Sequence, residues 1–250
     1  MPISAFLITL NEEDKIACTL DSLKWTDEQI VVDGGSSDRT AEICRQKGAK
    51  VFHRPFDNFE SQKNYALSLT QHDWVLSIDA DELVSESLQK EILRAIANPI
   101  PLVGYDIRRT NYFLGKPLQF GGQRREAVLR LFRKDGAKFS GIVHEKVCVQ
   151  GPVGELGNVL EHKGTETLKD YFPKLKLYTD LEAKRMVAEN RVPSLFRAIV
   201  HPPAKWGLNY VLLAGFLDGW HGSLYHALSC YYGWMKNFKA RAIRKETRKF

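Results

Sequence analysis

Short apolar runs, each cut off by polar residues and followed by apolar positions at helical spacing, set the rhythm of the first hundred residues. Ile3 to Leu10 reads as a strand that Asn11-Glu12-Glu13 ends, and Ile16, Leu20 and Leu23 then recur as on one helix face. Gln29 to Val32 is a second buried strand. It stops at Asp33-Gly34-Gly35-Ser36-Ser37-Asp38, where the glycines permit a tight turn and the serines and Asp38 suit a helix N-cap. Gly48 closes the short helix that follows. Val51-Phe52-His53 is the third strand, Gln62 to Leu69 a helix, and Trp74 to Ile78 the fourth strand, running into Asp79, Asp81 and Glu82. Ser85 caps a helix lined by Leu88, Ile92 and Ile96, which Asn98-Pro99 ends. Strands alternating with helices at this pace predict an α/β domain, a mostly parallel Rossmann-like sheet with helices on both faces.

The pattern changes after Pro101. Val103, Tyr105 and Ile107 alternate, as do Leu129 and Leu131, which predicts an antiparallel or mixed half with longer loops. Leu168, Phe172, Leu175 and Tyr178 predict a long amphipathic helix over 165–189 that Pro193 breaks. From Trp206 to Met235 the chain is apolar and aromatic. The divisions expected are a catalytic domain over 1–164, with a nucleotide-binding half 1–100 and an acceptor half 101–164, and a C-terminal helical, membrane-proximal extension over 165–250.

In an open parallel sheet, ligands bind at the carboxyl ends of the strands. Here those ends carry Glu12, Asp33 and the Asp79/Asp81 pair. If the fourth strand persists, Asp79 and Asp81 point to the same side of the pleat, where they repel unless a cation or donors separate them. An all-oxygen divalent-metal site completed by substrate phosphates answers that need. The alternative is that Asp81 and Glu82 only load the start of the next helix with favourable negative charge.

Charge and cysteine narrow the class. The net charge of +6 is a property of the tail: Lys236, Lys239, Arg241, Arg244, Lys245, Arg248 and Lys249 outweigh Glu246 there, and the rest is formally neutral. That points to an anionic partner at the C-terminus and away from a nucleic-acid groove on the main face. Cys18, Cys44, Cys148 and Cys230 have no paired spacing and read as reduced thiols, and residues 1–10 lack a basic leader and cleavage site; a cytoplasmic protein is expected.

Leu7-Ile8-Thr9-Leu10-Asn11-Glu12-Glu13, then Val31-Val32-Asp33-Gly34-Gly35-Ser36-Ser37-Asp38-Arg39-Thr40, then Asp79-Ala80-Asp81 resemble the ordered motifs of glycosyltransferase family 2. Within it, Gln62-Lys63-Asn64, His144-Glu145 and Gly215-Phe216-Leu217-Asp218-Gly219 resemble the branch of lipopolysaccharide core glucosyltransferases that extend the inner-core heptose. The resemblance implies a GT-A fold, a nucleotide-sugar donor such as UDP-glucose, a divalent metal (Mg2+ or Mn2+), and inverting transfer of a hexose to a lipid-linked saccharide. It implies that Thr9, Leu10, Glu12, Asp33, Lys63, Asn64 and Asp79 hold the donor. By the same resemblance Asp79 and Asp81 serve the metal, Asp81 more firmly, with His162 completing the shell.

Residue chemistry is compatible with these roles and leaves alternatives. Asp33 can accept from a uracil ring N–H, or serve as the turn residue before Gly-Gly. Lys63 can face a diphosphate or solvent. A single displacement needs a base, for which Glu145 is the candidate and Glu82 the reserve; Glu145 can equally pair with Lys146 or a nearby arginine. Arg124, Arg125, Arg130 and Arg133, with His144, are candidates for holding acceptor phosphates, or are a solvated strand face.

A nucleotidyltransferase lacks support, because Asn11-Glu12-Glu13 is not the glycine- and arginine-rich loop such enzymes carry after the first strand. A basic nucleic-acid or scaffold-binding protein is opposed by the acidic strand ends. No apolar run reaches the roughly twenty residues needed to span a bilayer. The expectation is a peripheral enzyme at the inner face of the cytoplasmic membrane, with Trp206 to Phe216 packed as core and Lys236 to Lys249 facing anionic lipid.

Overall fold

The computed structural model describes residues 1–98, 100–123, 127–141, 146–165 and 167–247. The chain divides into two compact units, Met1–Arg109 with Glu126–Lys163, and Thr110–Arg125 with Gly164–Phe250.

The first unit is built on a sheet whose parallel half follows the alternation in the sequence. Strands β1 (Ile3–Thr9), β2 (Glu28–Asp33), β3 (Lys50–His53) and β4 (Trp74–Ser77) run parallel in the order β3-β2-β1-β4. Helices α1 (Ile16–Ser22), α2 (Thr40–Gln46), α3 (Phe59–Leu69) and α4 (Glu86–Ala97) alternate with them, α4 following a two-residue strand β5 (Glu82–Leu83). Successive side chains of a strand leave by opposite faces, and the core obeys this. Ile3, Ala5, Leu7, Trp74, Leu76 and Ile78 join Ile16, Leu20, Leu88 and Ile92 of α1 and α4 in one cluster. Phe6, Ile30, Val32 and Val75 join Ala66 and Leu67 of α3 in the other.

The second half of the sheet is antiparallel, as the changed pattern implies. β6 (Gly104–Phe113), β8 (Ala127–Arg133) and β11 (Val153–Thr165) extend it in the order β4-β8-β6-β11-β5, with β7 (Lys116–Pro117) pairing off β6. β9 (Lys138–Ser140) and β10 (Lys146–Cys148) form a separate hairpin whose Phe139 closes the α3-side core. Between β6 and β8 the register slips: Tyr105 faces Leu131, but Asp106 faces Leu129. Arg130 is thus the extra residue of a bulge, a device that re-aims a side chain.

The second unit is helical. α5 (Leu168–Ala188), α6 (Leu195–Gly207) and α7 (Gly219–Thr247) carry it, with a π turn at Leu208–Leu212 and a 3-10 turn at Gly215–Asp218 between the last two. α7 packs on both α5 and α6. The Asp218 carboxylate accepts the amides of Gln119 and Phe120, 3.0 Å each, and so ties the 110–123 hairpin to the corner that opens α7. Gly121 and Gly215 leave room for the buried His226 ring, whose Nε2 lies within 2.4 Å of where a Cβ at either would stand. The Gly215–Gly219 run therefore has a packing role. Ala198 and Pro202 are the buried positions of α6, and Gly233 of α7 lets Pro202 approach closely.

Two expectations for this unit change. The apolar stretch 206–217 is not core: Trp206, Leu208, Val211, Leu212, Phe216 and Leu217 are all exposed. Much of the basic tail, conversely, is engaged inside the unit. Lys239 Nζ lies 2.6 Å from Asp180 and 2.8 Å from Thr179 Oγ1, and Arg241 donates to the Pro193 carbonyl at 2.8 Å. Lys236 sits 3.9 Å from Glu182 and over the Tyr232 ring. These cations fasten α7 to α5 and the 190–194 loop. Arg248 and Lys249 lie outside the described residues.

Candidate active site

The carboxyl ends of β1, β2 and β4 meet in the first unit, and hydrogen bonds between their loops fix the rim. After β1, Asn11 takes a left-handed backbone (φ 55°) and its Oδ1 accepts the Ser37 amide at 2.8 Å. In return the Asn11 amide donates to Ser36 Oγ, the Glu12 amide to Thr40 Oγ1 and the Arg39 amide to Glu13. The Asp33 carboxylate holds the turn after β2. It accepts from the Gly35 and Ser36 amides and, at 2.5 Å, from Ser36 Oγ, with His53 Nδ1 at 3.5 Å. Thr9 pairs with Asp33 in the ladder, and its hydroxyl is buried with no partner among the described residues. Leu10 is exposed beside it.

β4 does not carry both aspartates on one side of a pleat. Its ladder ends with the Ile78 amide on the Phe6 carbonyl, and the chain then turns, the Glu82 amide bonding the Asp79 carbonyl at 3.0 Å. The turn sends the two carboxylates to different partners. Asp79 meets Lys63 Nζ at 2.9 Å and Arg130 at 2.5 Å; Asp81 meets His162 Nε2 at 3.3 Å. His162 reaches that place because β11 pairs antiparallel with β5, setting His162 opposite Glu82, and because the Lys163 amide bonds the Asp81 carbonyl.

Arg130 is the electrostatic centre. Its buried guanidinium also lies 2.5 Å from Glu82, which is fully buried, has Arg109 at 3.6 Å and accepts the Asp79 amide at 2.9 Å. Burial pushes the Asp79 carboxyl up, but Arg130 and Lys63 beside it more than reverse this and hold it well below the usual carboxylate range. For His162, burial opposes protonation, and the hydrogen bond and charge of Asp81, with Glu82 behind, overcome it; its pKa is raised. Helix α3 delivers one residue to each neighbour. Gln62 donates to the Arg54 and Pro55 carbonyls, Lys63 pairs with Asp79, and Asn64 exchanges two 2.9 Å bonds with the Phe139 backbone.

The expected site residues therefore separate. Thr9, Glu12, Asp33, Lys63, Asp79, Asp81, Glu82, Arg130 and His162 lie on the rim or in the network beneath it. Asn64 is spent on β9. Arg130 faces Asp79 and Glu82, so it serves those two carboxylates and is not a free acceptor-binding arginine. Arg133 is placed elsewhere: it pairs with Trp74 in the ladder, at the amino end of β4, and its guanidinium stacks on Trp74 and bonds Asp73. Arg124, Arg125, His144 and Glu145 lie outside the described residues. Sequence reading missed the locking role of Asn11 and Ser36 and the place of Arg109, which no local motif announces.

Among the described residues, no three His, Cys, Asp or Glu side chains converge as a metal cage. Asp81 and His162 do offer a carboxylate oxygen and an imidazole nitrogen side by side. A cation that takes few protein ligands and fills its shell with substrate phosphates and water, as magnesium does, fits such a two-point seat.

This open sheet, parallel in one half and antiparallel in the other, has the fold of the GT-A class. Residues 4–144 match the model of Glycosyl transferase family 2. An uncharacterized glycosyltransferase of Rickettsia conorii is 34% identical over 210 residues, 78% of this chain and 74% of the relative. The lipopolysaccharide core biosynthesis glycosyltransferase LpsC of Rhizobium meliloti is 28% identical over 245 residues, 92% of this chain and 90% of its own. The solved structure of S. aureus TarS 1-349 superposes with a TM-score of 0.50 over 100% of this chain and 92% of that one, at 16% identity, a likeness of fold. The chain belongs to glycosyltransferase family 2.

Proposed function

We propose that the protein is an inverting, metal-dependent hexosyltransferase that moves glucose from UDP-glucose onto a lipopolysaccharide core or related lipid-linked saccharide, working as a peripheral protein at the inner face of the cytoplasmic membrane. The observation that carries the reading is the split acidic pair: Asp79 tied to Lys63 and Arg130, Asp81 beside His162. The likeness to LpsC supports the choice of acceptor.

Each residue then has a task. Asp33 accepts from the uracil ring, with the Ser36 hydroxyl the donor that yields, since a hydroxyl rotates away and the two backbone amides stay. Lys63, already desolvated, places a fixed positive charge where a diphosphate gathers negative charge. Asp79 keeps Lys63 and Arg130 in place. Asp81 and His162 would hold the Mg2+ or Mn2+ ion, which when bound stabilises negative charge on the departing nucleotide. A base must take the acceptor hydroxyl proton as the sugar carbon is attacked from the face opposite the leaving group. Glu82 is buried and paired with Arg130, so it is a poor choice. That favours Glu145, which lies four positions along the sequence from Gly141, a residue anchored by its amide to Glu60 of α3 at 2.8 Å.

The test is a donor screen. Purified protein is incubated with UDP-glucose and other nucleotide sugars, Mn2+ or Mg2+ and a truncated lipopolysaccharide acceptor, and nucleotide release and product anomer are read. The expected outcome is metal-dependent release from UDP-glucose with inversion. Glu145→Gln should keep donor binding and lose transfer by about a hundredfold or more. Turnover unchanged by a chelator, or a retained anomer, would remove the reading.

A further inference from the structure

Helix α6 is amphipathic with its apolar side facing the wrong way for a soluble protein. Ala198 and Pro202 face α7, and Asn237 and Trp234 of α7 bond the Ala198 and Ile199 carbonyls from that side. The opposite stripe, Phe196, Ile199, Val200 and Pro203, falls at the spacing of one helix face and is exposed. Phe196 is 76% exposed. The chain then leaves α6 through the π and 3-10 turns and presents Leu212, also 76% exposed, and Trp220 at 60%. Large apolar side chains left exposed along the chain from α6 through the turns after it are the mark of an interaction surface.

Charge selects the occupant. From Arg191 to Lys245 the sequence contains one acidic residue, Asp218, and that carboxylate is spent on the Gln119 and Phe120 amides. Arg197 and Lys205 flank the apolar stripe and are exposed. A second copy docking here through the same face would set these cations against their own counterparts, which like-charge contact penalises. An anionic lipid surface is complementary on both counts, with rings and aliphatic groups for the headgroup–acyl boundary and cations for the phosphates. No helix among the described residues is long and apolar enough to cross a membrane, so the element lies on the surface.

We propose that the outward face of α6, with the corner at 208–220, is the membrane-entering element of the protein: Phe196, Ile199, Val200, Leu212 and Trp220 enter one leaflet while Arg197 and Lys205 engage anionic headgroups. This rests on the reading of a lipid-linked acceptor only for the choice of a bilayer. It moves the contact from the basic tail, where Lys236, Lys239 and Arg241 hold α7 in place, to the apolar face of α6.

The experiment is co-sedimentation of the full chain with vesicles of phosphatidylcholine alone and of phosphatidylcholine with phosphatidylglycerol, without donor or acceptor. The wild type should bind the anionic vesicles. Phe196→Asp with Leu212→Asp should weaken binding about tenfold or more, while Lys245→Gln changes it little. Brominated lipid should quench the wild-type tryptophan emission, and Trp220→Phe, a surface change, should remove a large part of that quenching. This second measurement decides the matter if the double variant misfolds. Undiminished binding by a folded double variant, absence of quenching, or a wild-type dimer that the double variant dissociates would overturn the proposal. Nucleotide release measured in parallel on a detergent-dispersed acceptor should be the same for wild type and the double variant. Loss of vesicle binding by itself therefore leaves the transferase reading intact, and loss of turnover leaves this one intact.

Discussion

The two units of this chain treat polarity in opposite ways. In the first, charged groups are drawn inside and matched: Glu82 and Arg130 are buried, and Arg130, Lys63 and Arg109 surround Asp79 and Glu82. In the second, large apolar side chains are left outside on α6 and the turns after it, while a histidine is buried with a ring nitrogen that has no hydrogen-bond partner among the described residues. A buried ion network costs desolvation and is retained where its geometry has a use. An exposed apolar face costs solubility and is retained where something covers it. The difference is the one that the proposed division of labour, chemistry in one unit and docking in the other, requires.

The largest effect should come from breaking the matched charges. Arg130→Met removes the cation shared by Asp79 and Glu82 and leaves a fully buried carboxylate without its closest partner. Breaking a buried pair on one side typically costs about 3–5 kcal/mol. The urea midpoint of the first unit should fall accordingly, and transfer should be lost in whatever protein remains folded. A midpoint within error of wild type would mean that Arg130 contributes nothing to holding Glu82 in place, and the network would lose its standing as the anchor of the rim.

A smaller, purely functional effect is expected at the neighbouring carboxylate. Asp81→Asn keeps shape and leaves the Asp79 network whole. It removes the charge that faces His162, so metal-dependent turnover should drop by about a hundredfold, the scale of losing several kcal/mol of charge stabilisation. The thermal midpoint should stay close to wild type. Full activity at saturating donor and ordinary metal would show that Asp81 is no ligand, and would break the distinction between the two members of the acidic pair.

The same contrast explains what the sequence made legible. Period-two and helical patterns located β1 to β4 and their helices, because in the first unit burial follows hydrophobicity: Ile3, Leu7, Leu76 and Ile92 are where apolar residues belong. The three acidic strand ends followed from that topology. The partition of Asp79 from Asp81 was hidden, because it depends on a turn after Ser77 and on a histidine more than eighty positions further along. Arg130 was legible as a strand residue between leucines and illegible as a network centre, because a bulge re-aims it. Asn64 carries a family motif, yet its bonds go to β9. In the second unit hydrophobicity misled outright: Leu212 and Phe216 look like core and are exposed, while Lys239 and Arg241 look like surface cations and are bonded inside. Pattern reading assumes that apolar means buried, and the exposed side chains of α6 and the turns after it violate that assumption.

The smallest effect is a pH dependence that belongs to the second unit. His226 is buried between Gly121 and Gly215, against the rings of Tyr210 and Tyr225 at 6.0 and 5.4 Å. Burial lowers its pKa, and Asp218 pulls only partly the other way. Between the depressed folded value and the unfolded value near about 6.5, the unfolded chain binds the proton and the folded chain does not. The stability tied to a neutral His226 is therefore complete above that unfolded value. It is lost as pH falls through it, and the loss levels off below the folded value. The opening free energy along α7, read from amide exchange after correction for the pH dependence of the intrinsic rate, should fall on acidification through this window, with the first unit's amides unaffected by this group. His226→Phe keeps a ring in the space and cannot titrate, so its opening free energy should be flat over the same range. An equal pH slope in wild type and His226→Phe would assign the effect to some other group and would leave the buried ring as packing alone.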